Sequence, residues 1–323
     1  RGSPGPPLHS RPMTSTMTDI QRRAHEVALE IQAAICAAIE GLEREGGGSA
    51  TFASDVWERG GGGGGLTRVL RGDVIEKGGV NTSTVFGELS PQFAGQLPGS
   101  GSHFFAAGMS LVLHPKNPHV PTVHANFRYI EHGDKRWVGG GADLTPYYFD
   151  AEDKAHFHDV WRRYCEAHPG VGDYPHFSDW CDRYFYLRHR GESRGVGGIF
   201  FDNLYVDPNK PGHEDALLAF IRDGGLRFLD AYLPVARRHL HTPYTPEQRR
   251  WQELRRGRYV EFNLIYDRGT VFGLKTGGRT ESILMSLPPH AQWGYCEEPA
   301  PGTAEARLLE ELRRPFPGDE FRG

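Results

Sequence analysis

Residues 108–143 constrain the fold most, because apolar and polar residues alternate along them with a period of two. A β-strand turns successive side chains to opposite faces, so this alternation predicts strands with one apolar and one polar face. The prolines in the middle of the stretch mark a loop, since proline cannot donate to a β-ladder. If the two strands are neighbours, their polar faces form one floor for a ligand. The residues of this floor are Ser110, Val112, His114, His124, Asn126 and Arg128.

A polar strand face has a simpler interpretation, because it is most often the solvated face of an antiparallel sheet. Solvated faces are usually rich in Lys, Glu and Thr, whereas His, Asn and Arg bind anions or move protons. The composition of this face therefore favours a site, with the solvated face as the alternative.

Two further candidate strands are associated with glycine-rich segments. Residues 139–141 are glycines, and they lead to Asp143 at the end of a predicted strand. Glycine lets other groups approach the backbone closely, so Asp143 is a candidate functional carboxylate. An aspartate that caps a turn would have the same spacing, and this alternative stays open. A second glycine-rich turn begins at Arg194 and leads into a buried strand.

The chain before the floor predicts a helix, a loop and a hairpin. Thr18 and Gln21 form a capping box, after which apolar residues recur at helical spacing as far as Gly46. The glycines at 60–65 lack the lysine and hydroxyl residue of a phosphate loop, so we predict a mobile loop and a candidate lid. Residues 68–86 predict a hairpin.

The chain after the floor predicts helices and then a β-meander. Asp150 caps one helix, and His189 ends another over residues 177–189. Residues 214–240 contain one or two helices, broken at 224–225 and at Pro234. Three strands are predicted at 259–266, 270–275 and 282–287, with Arg279 in a turn between the last two.

This order of elements predicts an α+β fold with helices on the faces of a large antiparallel sheet, and it excludes a doubly wound nucleotide fold. We expect residues 18–323 to form a single domain. Residues 1–17 are expected to be an N-terminal extension outside the fold, because they lack the apolar core of a signal peptide.

Charge and hydropathy exclude several classes of protein. The net charge of −4 without a long basic run argues against a nucleic-acid partner. No apolar run approaches the roughly 20 residues of a membrane helix, so we expect a soluble, cytoplasmic protein. The four cysteines are widely spaced and are expected to be buried free thiols in a reducing compartment: Cys36, Cys165, Cys181 and Cys296.

Four long blocks of sequence carry a resemblance: SLVLHPKNPHVPTVHANFRY, GGGADLTPYY, RGVGGIFFDNL and RRGRYVEFNLIYDRGTVFGLKTGGRTESILMSLPP. They resemble the oxygen-dependent coproporphyrinogen-III oxidase family of haem biosynthesis. The resemblance implies a large flat antiparallel sheet sandwiched between layers of helices, and a homodimer with its contact expected in residues 259–294. The implied reaction converts two propionates of coproporphyrinogen III to vinyl groups. O₂ is the implied co-substrate, and CO₂ and H₂O₂ are the implied by-products.

The resemblance also implies roles for single residues. His124 is implied as the proton donor, and Asp143 as the carboxylate that meets the pyrrole N–H groups. Bacterial members are described with a divalent metal, and related members work without metal or organic cofactor. The implied substrate contacts are Ser110, Asn126, Phe127, Arg128, Arg194, Gly277, Gly278 and Arg279. The residues that match the metal ligands are His114, His124, His158 and His189.

Two other functions stay open. A non-haem metal oxygenase would use the same four histidines, although a typical facial triad includes a carboxylate ligand. A tetrapyrrole carrier would use the same polar floor without turnover. Metal analysis separates the oxygenase from the oxidase, and O₂ uptake with substrate separates both enzymes from a carrier.

Overall fold

The computed structural model describes residues 17–95, 98–275 and 278–313. Gly277 and residues 1–16 of the expected N-terminal extension lie outside these ranges. The strands are β1 (Ala53–Glu58), β2 (Gly63–Leu70), β3 (Ile75–Glu88), β4 (His103–Pro115), β5 (Thr122–His132), β6 (Lys135–Thr145), β7 (Tyr186–Leu187), β8 (Glu192–Ser193) and β9 (Gly198–Tyr205). The helices are α1 (Asp19–Glu45), α2 (Pro91–Ala94), α3 (Ala151–Glu166), α4 (Tyr174–Tyr184), α5 (His213–His239), α6 (Pro246–Ile265), α7 (Arg268–Lys275), α8 (Thr280–Leu284) and α9 (Ala304–Leu312).

Seven strands form one antiparallel sheet in the order β1-β2-β3-β4-β5-β6-β9. The first six follow one another along the chain, and β9 joins β6 after α3 and α4. The predicted α+β fold is confirmed, and so is the pairing of the two strands within residues 108–143. The predicted hairpin at 68–86 corresponds to β2 and β3.

Helices lie on both faces of this sheet. The apolar face packs against α1 and α5, and its residues share a buried core with Ile31 of α1 and Phe220 of α5. On the opposite face, Ser282 of α8 contacts Thr67 of β2 through their hydroxyl oxygens, 2.9 Å apart. Burial of the apolar face is the main stabilising term of such a layered fold. Polar groups are thereby left for the other face.

The predicted caps of α1 and α3 are present. Thr18 and Gln21 form the reciprocal capping box at the start of α1. The Asp150 carboxylate accepts hydrogen bonds from the backbone N–H groups of Glu152 and Asp153. These side chains satisfy donors that the first helical turn cannot pair internally.

The predicted β-meander at 259–287 is wrong, because these residues form the end of α6 together with α7 and α8. Helix α6 begins at a capping box of Thr245 and Gln248. It continues through Tyr259 and Phe262, which are three residues apart and both buried. The segment 267–269, expected to be a hairpin turn, instead starts α7, where Asp267 accepts a hydrogen bond from the Thr270 N–H. Tertiary burial at helical spacing here overrides the β-propensity of the aromatic and branched residues.

Helix α5 is continuous, so the predicted breaks at residues 224–225 and at Pro234 are wrong. The two glycines serve close packing instead. A Cβ atom on Gly224 would lie 2.6 Å from Phe127, and one on Gly225 would lie 2.4 Å from Ile31. Glycine here brings α5 against the sheet and α1.

Two other predicted boundaries are corrected. Helix α4 ends at Tyr184, so His189 follows the short strand β7 and is not on a last helical turn. Residues 63–65 belong to β2 and not to a mobile loop, and only residues 60–62 turn between β1 and β2. A Cβ on Gly64 would lie 2.2 Å from the Trp57 carbonyl oxygen, so the close strand pairing requires glycine.

The cysteines match the expectation in part. Cys36, Cys165 and Cys181 are buried free thiols, whereas Cys296 is exposed and therefore corrects the prediction. Within the described ranges, no helix is both long and apolar enough to cross a membrane.

Candidate active site

The polar floor is assembled by the register of the central strands. Directly opposed residues of an antiparallel pair share a face. Ser110 of β4 is opposite Asn126 of β5, and Arg128 of β5 is opposite Gly139 of β6. In the next row, His124 of β5 is opposite Asp143 of β6. The structure thus places five of the candidate residues on one face of three neighbouring strands.

Helix α8 and the residue after it cover the floor over β2 and β3. The Asn81 side chain donates a hydrogen bond of 3.0 Å to the Ser282 carbonyl oxygen. The Met285 side chain, just after α8, occupies the space that a side chain on Gly79 would fill. Ser110 on β4 is exposed. The part of the floor on β4 and β5, where Asn126 and Arg128 are half-buried, is therefore accessible to a ligand.

His124 is held from behind by a buried ion pair. Its Nδ1 lies 2.8 Å from Asp143 Oδ1, and Arg194 contacts both Asp143 oxygens at 2.8 Å. The side chain of His124 is 17% exposed, while those of Asp143 and Arg194 are 2% and 3% exposed. With Nδ1–H donating to Asp143, Nε2 lies on the side of Asn126 and is the nitrogen that a ligand on the floor would meet. This is the arrangement of an oriented general acid or base.

The electrostatics of the buried pair keep both partners charged. Burial by itself opposes ionisation of Asp143, but the charge of Arg194 and the hydrogen bond from His124 lower the Asp143 pKa below its ordinary value. Burial likewise opposes the charge of Arg194, and Asp143 outweighs it, so the Arg194 pKa is raised. The ionised Asp143 carboxylate can therefore stabilise an imidazolium at His124.

Arg194 is held by aromatic rings as well as by hydrogen bonds. Its guanidinium carbon lies 4.1 Å from the centroid of the Phe185 ring and 4.5 Å from that of Tyr259. It also donates a hydrogen bond of 3.0 Å to the Asn263 side chain of α6. Arg194 is thus placed behind Asp143 and not on the floor. Asp143 is buried as well, so it acts on a ligand through His124.

A row of polar contacts continues from His124 along the floor. Asn126 Nδ2 lies 3.4 Å from His124 Nε2, and Arg128 donates to Asn126 Oδ1 at 3.3 Å. Arg128 also donates to Asp202 Oδ2 of β9 at 2.8 Å. Asp202 and Asn263 were missed in the sequence. The signal for Asp202 was its place in the block RGVGGIFFDNL, directly after two aromatic residues of a buried strand.

Other predicted contact residues lie elsewhere. The ring of Phe127 is buried against Trp161, so its side chain lies on the face opposite to the floor. Arg279 pairs with Asp55 of the edge strand β1, several strands away from Arg128. Gly278, next to Arg279, is exposed. Gly277 lies outside the described residues.

The four histidines expected to bind metal are not brought together. His114 contacts Thr122 Oγ1 and the Ser286 carbonyl oxygen, while His158 contacts Tyr174 and the Val196 carbonyl oxygen. Burial holds the pKa of His114 well below its ordinary value, and it also lowers that of His158.

The remaining two histidines are also engaged. His189 contacts Tyr266 and Glu261, and His124 contacts Asp143. In the described part of the chain, the one group of His, Cys, Asp and Glu atoms close enough for a shared ion is Asp150, Asp153 and His239. The expected histidine set therefore does not fit a common metal in this arrangement.

A comparison with protein families gives one match. The family model described as coproporphyrinogen III oxidase matches residues 23–317, which is far more than half of the chain. The match includes the floor, the buried pair behind it and helices α6 to α8.

Proposed function

Because the chain belongs to the coproporphyrinogen III oxidase family, we propose that it catalyses the O₂-dependent oxidative decarboxylation of coproporphyrinogen III. The family supports an oxidoreductase of tetrapyrrole biosynthesis with this substrate. In the proposed reaction, two propionates become vinyl groups and the product is protoporphyrinogen IX. For each propionate, the bond to the carboxyl carbon breaks and CO₂ leaves. Two electrons and two protons then reduce one O₂ to one H₂O₂.

The observation that supports this proposal most is the position of His124 and Arg128 on one accessible floor, with Asn126 between them. A propionate needs a cation to hold its carboxylate and a nearby group to move a proton. Arg128 has five N–H donors, and its contacts with Asn126 and Asp202 use two of them. Donors therefore remain for a substrate carboxylate, which guanidinium groups bind in a bidentate manner.

His124 is the group we assign to proton transfer. Oxidative decarboxylation removes a hydrogen from the β-carbon of the propionate and delivers protons to reduced oxygen. His124 Nε2 faces the floor, so it can act at either position. Asp143 and Arg194 keep the ring oriented and balance its charge without leaving the core.

The two arginines lie on either side of the part of the floor that α8 covers over β2 and β3. Arg128 lies on β5, and Arg279 is held at the edge strand β1. Coproporphyrinogen III carries carboxylates around the rim of a wide macrocycle. We propose that Arg279 and Gly278 meet the side of the macrocycle far from His124.

No step of the proposed reaction is assigned to a metal, because the expected histidines do not converge. The protein contributes orientation, charge and proton transfer. The electron-rich porphyrinogen itself supplies the electrons that reduce O₂.

The test is product analysis of purified protein with coproporphyrinogen III, with and without O₂. We expect protoporphyrinogen IX in air and unchanged substrate under anaerobic conditions. A carrier would bind the tetrapyrrole without converting it. Equal product in the absence of O₂ would overturn the proposed oxidant.

A further inference from the structure

Asp202 is brought onto the floor by an irregularity in β9. The pairing of β6 with β9 shifts between Val138 and Gly140, so Asp202 and Asn203 together face Gly139. Asn203 adopts a φ of 54°, in the left-handed region that asparagine adopts more readily than most residues. The Asp202 Oδ1 atom accepts a hydrogen bond from the Asn203 N–H at 3.0 Å. Such bulges commonly re-aim a side chain next to a site.

The ion pair of Asp202 and Arg128 spans a whole strand. Arg128 lies on β5 and Asp202 on β9, and β6 runs between them at Gly139. A Cβ atom on Gly139 would lie 2.6 Å from Asp202 Oδ1 and 3.0 Å from Arg128 Nε. Any other residue at 139 would therefore push the pair apart. The bulge and the glycine act together to let these two charges meet above the sheet.

This pair ends a continuous row of contacts that begins in the core. The row runs from Asp143 through His124, Asn126 and Arg128 to Asp202, with separations of 2.8, 3.4, 3.3 and 2.8 Å. The two ends differ in accessibility. The Asp143 side chain is 2% exposed, whereas those of Arg128 and Asp202 are 35% and 18% exposed. Only at the end formed by Arg128 and Asp202 can a ligand replace one of the partners.

We propose that Asp202 is the resident counter-ion of Arg128 and that a substrate carboxylate displaces it on binding. This inference rests on the proposed function, because it assigns the carboxylate ligand to that site. A partly exposed ion pair contributes little net stability, so breaking the pair of Asp202 and Arg128 costs little free energy. Asp202 thereby competes with the ligand carboxylate for the Arg128 guanidinium. Asp202 is therefore a specificity-determining residue that limits affinity for carboxylate ligands and favours their release.

The test is binding of coproporphyrin III, a stable oxidised tetracarboxylate, followed by its fluorescence. Asp202→Asn keeps the shape of the side chain and an acceptor for the Asn203 N–H but removes the charge. We expect its Kd to fall about three- to tenfold relative to wild type. The control is Asp207→Asn, which makes the same charge change at an exposed turn where the Asp207 carboxylate accepts from the Asn209 N–H. Its Kd should not change.

A second measurement separates exchange at Arg128 from a general charge effect. In an Arg128→Gln background, Asp202→Asn should no longer tighten binding, because there is no cation to release. Persistent tightening in that background, or unchanged or weaker binding in Asp202→Asn alone, would overturn the inference. Thermal melting identifies a variant that does not fold. In that case Asp202→Ser, which keeps a small acceptor for Asn203, takes the same test.

Failure of the proposed function gives a different result. Wild-type protein would then not convert coproporphyrinogen III, and if it also failed to bind coproporphyrin III, the inference would fall with the proposed function. Wild-type binding and turnover without tightening in Asp202→Asn would reject the inference alone.

Discussion

His124 is useful only if its ring is held, and the residues that hold it are buried. Asp143 receives Nδ1–H, Arg194 pairs with both Asp143 oxygens, and Asn263 accepts from Arg194. A buried ion pair thus serves to orient one imidazole ring. Buried charges are costly unless both partners are present, so each substitution here has two consequences.

Asp143→Asn keeps the shape of the side chain and removes its charge. We expect kcat to fall about ten- to a hundredfold with little change in KM, because the imidazolium at His124 loses its counter-charge. Arg194 would remain buried without a carboxylate, which should destabilise the fold by about 3–5 kcal/mol. Steady-state kinetics and urea unfolding measure the two effects. Full activity in a destabilised variant would make Asp143 a purely structural residue.

The pH dependence of stability follows from the lowered Asp143 pKa. A carboxylate whose pKa is depressed on folding stabilises the protein above its unfolded pKa of about 3.9, and this contribution is lost as pH falls through the folded value. The difference in unfolding free energy between wild type and Asp143→Asn should therefore shrink below about pH 4. Urea melts at neutral pH and near pH 3 check this. A difference that grows at low pH would contradict the assigned charge state.

At the residue scale, the sequence predicted those site residues that alternate along regular strands. His124, Asn126 and Arg128 appear at a period of two, so their shared face follows from strand geometry alone. Asp202 needs a bulge to reach the floor, and Asn263 reaches Arg194 from helix α6, which is distant in sequence. Neither contact follows from the alternation along a strand, although Asp202 stands in the block RGVGGIFFDNL that carries the resemblance.

At the scale of elements, local signals succeeded where they agreed with tertiary packing. The capping box at Thr18 marked α1 correctly, and the alternation in residues 108–143 marked β4 to β6. The strand prediction for residues 259–287 is wrong because aromatic and branched residues favour strands locally. Helix α6 nevertheless extends into this segment from its capping box at Thr245. The glycines of α5 resemble helix breaks in the sequence, because their packing partners are distant along the chain.

A substitution of Gly224 tests whether this glycine breaks α5 or lets α5 pack closely against the sheet. If a glycine breaks a helix, its replacement by alanine stabilises the protein, since alanine favours the helix. In this structure a Cβ on Gly224 would lie 2.6 Å from Phe127 and 2.7 Å from the Tyr164 hydroxyl. We therefore expect Gly224→Ala to destabilise the protein by about 1–3 kcal/mol in urea unfolding.

Gly60→Ala is the matched control for that measurement. A Cβ on Gly60 meets nothing within 4 Å. Its unfolding free energy should stay within about 0.5 kcal/mol of wild type. Stabilisation by Gly224→Ala would show that α5 does not pack against the sheet as described.

At the scale of the whole molecule, exposed apolar side chains gather near the end of α6 and in α7. Leu264, Ile265 and Leu274 are 45%, 55% and 42% exposed. They lie in residues 259–294, the segment expected to mediate a homodimer. Phe262, in the same segment, is fully buried in the protomer and is not available to a partner. Contiguous exposed apolar surface is typical of interaction sites.

We predict a homodimer through this surface, with twice the 36.1 kDa chain mass in sedimentation equilibrium. Ile265→Asp places a charge in the contact and should shift the protein toward monomer. Tyr244→Asp, at a similarly exposed residue outside the segment, should leave the mass unchanged. A wild-type monomer at micromolar concentration would contradict the prediction.

The central claim is that His124, held by Asp143, moves protons in an O₂-driven decarboxylation without a metal. Its most direct test measures O₂ consumed and CO₂ released in one reaction with coproporphyrinogen III, in the presence of a chelator. We predict one O₂ consumed for each CO₂ released, with both rates reduced in the same proportion by His124→Gln. Release of CO₂ without O₂ uptake, or activity that the chelator abolishes and one specific metal restores, would contradict the account.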